Sequence, residues 1–139
     1  MPAYSFSLAD FEWMIPQGAK VRTTRLMGDG MRFEQAKKAM EEERPARLYW
    51  KQRTKNCRLL LEAPIRQVAP VKFGETWHFS VNGRELGDHA MSKYANEEGF
   101  KLWGYFVRVI EDLHGEDFRD FDYYTIKWGE LRPEEVPGA

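Results

Sequence analysis

The chain holds three histidines and one cysteine, too few to build a soft-metal site by the usual patterns. His78, His89 and His114 share no short spacing and have no cysteine partners, so no zinc motif is present and no metal is expected. Cys57 is a lone thiol that cannot close an internal disulfide, and it is expected half-buried beside a strand. There is no glycine-rich phosphate loop and no nucleophile elbow, and no cofactor is implied. The chemistry that remains is basic and aromatic. Lys20-Val21-Arg22-Thr23-Thr24-Arg25 interleaves cations with hydroxyls, and Arg53 adds a further guanidinium. Such cations suit phosphate or a developing oxyanion, and equally they can be surface charge. Tyr49 and Trp50 point to opposite faces of one strand, so one belongs to the core and the other is placed to stack on a base.

Charge is unevenly spread along the 139 residues. The span 15–60 carries 12 Lys and Arg against 5 Asp and Glu, whereas 61–139 carries 9 against 15. That asymmetry describes either a basic face for an anionic partner or two halves that pair with each other. The five Trp, six Tyr and nine Phe point mainly to a core built from rings, with a few left over to line a groove. No stretch approaches the roughly 18 apolar residues of a membrane helix, and no cationic start precedes an apolar run. These features predict one cytoplasmic domain over 1–139, with a core over 4–128 and a frayed tail over 129–139, no membrane partner and a monomeric state.

The elements that must position these residues can be read from periodicity. Residues 4–8, 47–51, 57–68, 71–73, 77–81 and 123–128 read as strands, with a break at Pro64. Asn82-Gly83 after Val81 is a type I′ hairpin signal. One or two helical turns are expected over 10–15, a surface helix over 33–44 stopped by Pro45, and a helix over 88–96 followed by a left-handed cap at Gly99. The strongest helix is 102–113, where Leu102, Trp103, Phe106, Val107, Ile110 and Leu113 recur at helical spacing before Gly115. The pattern alone gives an α+β class.

Four segments in order resemble the ASCH family, a branch of the PUA-like β-barrels. They are Gly18-Ala19-Lys20-Val21-Arg22-Thr23-Thr24-Arg25, the phage-type run Leu48-Tyr49-Trp50-Lys51-Gln52-Arg53-Thr54, then Ala95-Asn96-Glu97-Glu98-Gly99-Phe100, and the closing Ile126-Lys127-Trp128. Together they span about residues 4–128. The departures are Arg44-Pro45-Ala46-Arg47 where the family usually has Gly-Asp, with Gly28-Asp29 upstream, and Val21 and Arg22 in place of Thr or Gln.

The resemblance implies a small PUA-like barrel of mostly antiparallel strands with inserted helices. It also implies a basic cleft that binds RNA or a modified nucleoside, for which the residues themselves offer Arg22, Arg25 and Arg53 as phosphate contacts and Tyr49 or Trp50 as a stacking ring. One branch of the family deacetylates acetylated cytidine, and carried over to this chain its catalytic set would be Lys20, Thr23 and Glu98; a ribonuclease is the further alternative. Lys20 would act as base, nucleophile or oxyanion holder, Thr23 as an orienting hydroxyl and Glu98 as a proton shuttle. Positions 20 and 23 lie on opposite faces of a flat strand, so their convergence requires a turn or bulge between them.

Overall fold

A computed structural model describes residues 2–75 and 78–136. Eight strands and four helices follow in the order β1 (Ala3–Phe6), α1 (Phe11–Gln17), β2 (Arg22–Leu26), α2 (Met31–Glu41), β3 (Ala46–Trp50), β4 (Arg58–Ala63), β5 (Gln67–Phe73), β6 (Phe79–Val81), β7 (Arg84–Glu85), α3 (Asp88–Glu97), α4 (Trp103–His114) and β8 (Tyr123–Lys127). Of the strand expected over 77–81, Trp77 lies outside the described residues. Turn chemistry sets several boundaries. Asn82 (φ 54°) and Gly83 (φ 77°) both take the left-handed conformation that a type I′ hairpin demands. Gly99 (φ +100°) closes the turn after α3, and a Cβ there would meet the Phe11 ring at 3.0 Å. Pro70 sits inside β5 where its partner β6 ends at the hairpin, so its missing N–H breaks no ladder bond there, and its carbonyl still accepts Asn82 N–H at 2.8 Å.

The main-chain ladders form two mostly antiparallel sheets, β1-β3-β4 and β2-β8-β5-β6-β7, and among the described residues they do not close into a barrel. The β1–β3 pair is parallel. Two causes separate the sheets. Pro64 ends β4 and turns the chain before β5 begins on the other sheet. On the far side, β1 presents its Ala3 and Ser5 carbonyls outward, because Pro2 and Phe6 already serve β3 and the residue after it. Those outward carbonyls accept side-chain bonds from Arg32 and, at 2.9 Å, from Arg25 in place of a neighbouring strand. Arginine capping of an edge in this way blocks further strand pairing.

Two apolar clusters fill the interior. One packs Tyr4, Phe6, Leu48, Ile126 and Trp128 between the sheets, with Ala36 and Ala39 of α2 against it. The helix over 31–41 thus buries a stripe of alanines, where sequence suggested only a thin surface contact. The other is a nest of rings in which Phe73, Phe79, Tyr94, Phe106 and Tyr123 meet at centroid distances of 4.8–6.0 Å. Phe106 and Ile110 of α4 are buried there, each contributing roughly 1.5–3 kcal/mol. The ends of the expected stripe are not buried. Leu102 is 57% exposed because it is the extended residue ahead of the helix, and Leu113 is 65% exposed beyond the last turn that packs.

Over its described residues, 129–136, the tail departs from the expectation of fraying. Residues 133–135 form a 3-10 turn, and Glu135 reaches back to Lys127 at 2.6 Å and to Arg22. Two buried cations with no other full complement of carboxylates draw it in. Cys57 is exposed, in the turn between β3 and β4 rather than half-buried. Among the described residues no helix is long and apolar enough to cross a membrane.

Candidate active site

A cleft of about 420 Å³ opens where the two sheets fail to join, between the outer edge of β1 and strand β2, with α4 as its third wall. Phe6, Phe11, Phe100, Phe106 and Ile110 give it apolar sides, and Lys20, Thr23, Thr24, Arg25 and Glu98 give it a polar floor. A pocket of this size and mixture suits a small planar ligand.

Lys20 reaches the floor from a turn. The chain leaves α1 through Gly18 (φ 78°), and the Ala19 and Lys20 amides both donate to the Met14 carbonyl, at 2.8 and 3.2 Å. Strand β2 starts only at Arg22, so the turn required for residues 20 and 23 to converge is present, and both side chains line the cleft. Glu98 is delivered by the end of α3, whose Glu97 carbonyl accepts Val21 N–H at 2.8 Å and ties the helix end to the start of β2.

Lys20 and Glu98 form a buried ion pair. Lys20 Nζ donates to Glu98 Oε1 at 3.0 Å and to the Glu98 carbonyl at 2.8 Å, and the two side chains are 1% and 4% exposed. The ammonium also lies 4.3 Å from the centre of the Phe11 ring, a cation–π contact. Burial pushes Lys20 below the ordinary lysine value; the Glu98 carboxylate opposes this and the Arg25 and Arg22 charges add to it. The second carboxylate oxygen, Oε2, accepts from Thr24 Oγ1 at 2.7 Å. With its proton committed to Glu98, Thr24 must accept from the Tyr94 hydroxyl 2.6 Å away. Burial above all pushes Tyr94 up to about 12, which keeps it a neutral donor. Thr23 projects to the other side of β2, where its hydroxyl accepts Arg25 Nε–H at 3.1 Å and so keeps its own proton free to donate.

Of the remaining predicted contacts, only Arg25 is gathered here. Arg22 is fully buried on the opposite side of β2 from Thr23, stacked 4.3 Å from the Tyr94 ring. It donates to Glu97 at 3.2 Å, to Thr125 at 3.2 Å and to Glu135. Lys127 joins the same network through Glu97 at 2.6 Å. An arginine so enclosed cannot reach a phosphate in the cleft. Trp50 is buried, Tyr49 is half-buried and Arg53 is exposed at the β3–β4 turn, none of them lining the cleft. Arg25 does line it, together with Arg32, which sequence reading passed over.

Thr24, Tyr94 and Arg32 were also missed as site residues. Thr24 was hidden by its neighbour Thr23, since both hydroxyls read alike in sequence and only the direction of the strand separates them. Tyr94 carried one signal, a hydroxyl on the apolar face of a helix, where a buried phenol requires a partner. Arg32 is reached across the fold from α2 and gave none. Among the described residues there is no group of three or more His, Cys, Asp and Glu side chains that could hold a metal ion. Comparison with protein families, with curated proteins and with solved structures gives no match.

Proposed function

We propose that the cleft is the active site of an amidohydrolase that removes the acyl group from the exocyclic amine of a modified nucleoside such as acetylated cytidine, on a PUA-like fold left open at one seam. The observation that carries this reading is the buried Lys20–Glu98 pair on the floor of an aromatic-walled cleft. In the reaction, a water attacks the amide carbonyl and forms the new C–O bond. Glu98 takes the water proton and delivers it to the exocyclic nitrogen as the C–N bond breaks. The third N–H of Lys20, which neither Glu98 bond uses, stabilises the oxyanion, and the free Thr23 proton orients the carbonyl. Thr24 and Tyr94 fix the carboxylate from behind.

Chromatography of acetylated cytidine incubated with the protein tests the reading. Cytidine is the expected product, and Glu98→Gln is expected to slow its release at least about a hundredfold. No cytidine from the wild type refutes it. A second reading, single-stranded RNA binding without turnover, is favoured by the Arg25 and Arg32 cations at the cleft. It predicts unchanged acetylated cytidine, with RNA affinity that falls steeply as salt rises. Shortened RNA would instead mark a ribonuclease.

A further inference from the structure

Two guanidiniums and an imidazole meet at one end of the cleft without an acidic partner. Arg25 and Arg32 lie 5.5 and 4.9 Å from the centre of the same ring, Tyr4, and both line the cleft, as does His114 at the end of α4. Their recorded bonds go to neutral groups: Arg25 to Thr23 and to the Ser5 carbonyl, Arg32 to the Ala3 carbonyl. Among the described residues no carboxylate forms an ion pair with either. Glu98, the one carboxylate lining the cleft, is already bonded to Lys20 and Thr24. Elsewhere in the fold buried cations are matched, as Arg22 and Lys127 are by Glu97 and Glu135. Burial above all disfavours the Arg25 charge; Glu98 opposes this and Arg32 adds to it, while burial and then Arg25 push His114 below the ordinary histidine value. An anion placed beside Arg25 and His114 would offset both effects.

We infer that this end of the cleft is a phosphate subsite, so that the ligand is a nucleotide, free or within an RNA chain, rather than a bare nucleoside. Guanidiniums bonded to the Ser5 and Ala3 carbonyls of one strand edge can donate their remaining N–H groups to phosphate oxygens, and those bonds hold them in place before it arrives. The assignment of the base end rests on the nucleoside reading above; the phosphate end stands on the two guanidiniums and the His114 imidazole alone.

Binding of cytidine, cytidine 5′-monophosphate, ribose 5-phosphate and a cytidine trinucleotide to the full chain, measured by calorimetry, tests it, with the His114 ring resonance followed against pH in parallel. The nucleotide is expected to bind at least about tenfold more tightly than cytidine, the scale of a charge-assisted bond. Nucleotide and ribose 5-phosphate should both move the His114 titration to higher pH. Arg32→Gln, an exposed position, should cut the ratio of nucleotide to nucleoside affinity about tenfold, and Arg32→Lys should restore only part of it. Tighter binding of the trinucleotide supports the subsite with RNA as the source, and tighter binding of the mononucleotide supports it with a free nucleotide as the source. A His114 shift with ribose 5-phosphate but no cytidine binding retains the subsite and removes the nucleoside reading. Equal affinities for cytidine and its monophosphate with His114 unmoved overturn the subsite, even where acetylated cytidine is hydrolysed.

Discussion

Separating the Lys20–Glu98 pair should destabilise the protein more than removing it whole. Two unit charges 3.0 Å apart attract by about 5.5 kcal/mol at an effective dielectric near 20, and both are desolvated. In Lys20→Met the carboxylate remains buried with only the Thr24 hydroxyl to serve it. Its escape is to take up a proton, which from the ordinary glutamate value of about 4.3 costs about 3.7 kcal/mol at pH 7. That sets a ceiling on the charge penalty. In Glu98→Gln the stranded ammonium can instead lose its proton, at about 4.6 kcal/mol from the ordinary lysine value of about 10.4. The double variant strands no charge and should lose only about 1–2 kcal/mol, so the coupling between the sites should exceed about 2 kcal/mol. Urea midpoints at pH 7 for the four proteins give the cycle. A second readout fixes the sign. A stranded carboxyl has a raised folded value, so the Lys20→Met penalty is absent below about pH 4.3 and grows as pH rises. At pH 5 it should have shrunk to about 1 kcal/mol. Single losses that add within about 0.5 kcal/mol, or a Lys20→Met penalty identical at pH 5 and pH 7, refute the coupled buried pair.

Glu135→Gln should cost about 3 kcal/mol, because it removes one of the two carboxylates that hold the buried Arg22 and Lys127; a change below 0.5 kcal/mol in the urea midpoint would leave the tail without a structural role. Alkaline unfolding should be steep between pH 10 and pH 12. Burial raises Tyr94 and Tyr123 from 10.0 to about 12, so their contribution is intact below pH 10 and is lost as pH rises through that window. Tyr94→Phe should flatten the profile measured by circular dichroism, and an unchanged slope would show that Tyr94 ionises freely.

Local signals carried most of the strand and helix order, although β2 and β7 were not among the expected strands. Asn82-Gly83, Pro64, Gly99 and the apolar spacing of Phe106 and Ile110 each act through a few neighbouring residues, so their effect is visible in sequence. The site was legible only in part. Lys20, Thr23 and Glu98 do line one cleft, yet the carboxylate is held by Thr24 and Tyr94. Arg22 was misplaced for a physical reason. In sequence it reads as one more cation in a basic run, and only the sheet register shows that it faces Thr125 and two glutamates. A charge is assigned to solvent, to a ligand or to a partner by what lies across the fold, here up to 113 positions away.

The same long-range logic accounts for the cleft. Strand β2 has β8 on one side only, and β1 has β3 on one side only, so each sheet ends in an edge along the same seam. A ladder between those edges would satisfy their backbone groups and fill the space where the ligand is proposed to lie. Arg25 and Arg32 satisfy the outward β1 carbonyls through side chains instead, which leaves no strand ladder between the edges. Glu97 and Glu98 then fasten the end of α3 to β2 and to the turn before it, one through Arg22 and the other through Lys20 and Thr24. The opening is therefore maintained by charged groups that also face into it. Replacing the edge arginines by short apolar residues would let the edges approach, so the features that keep this fold from closing are the ones that give it a site.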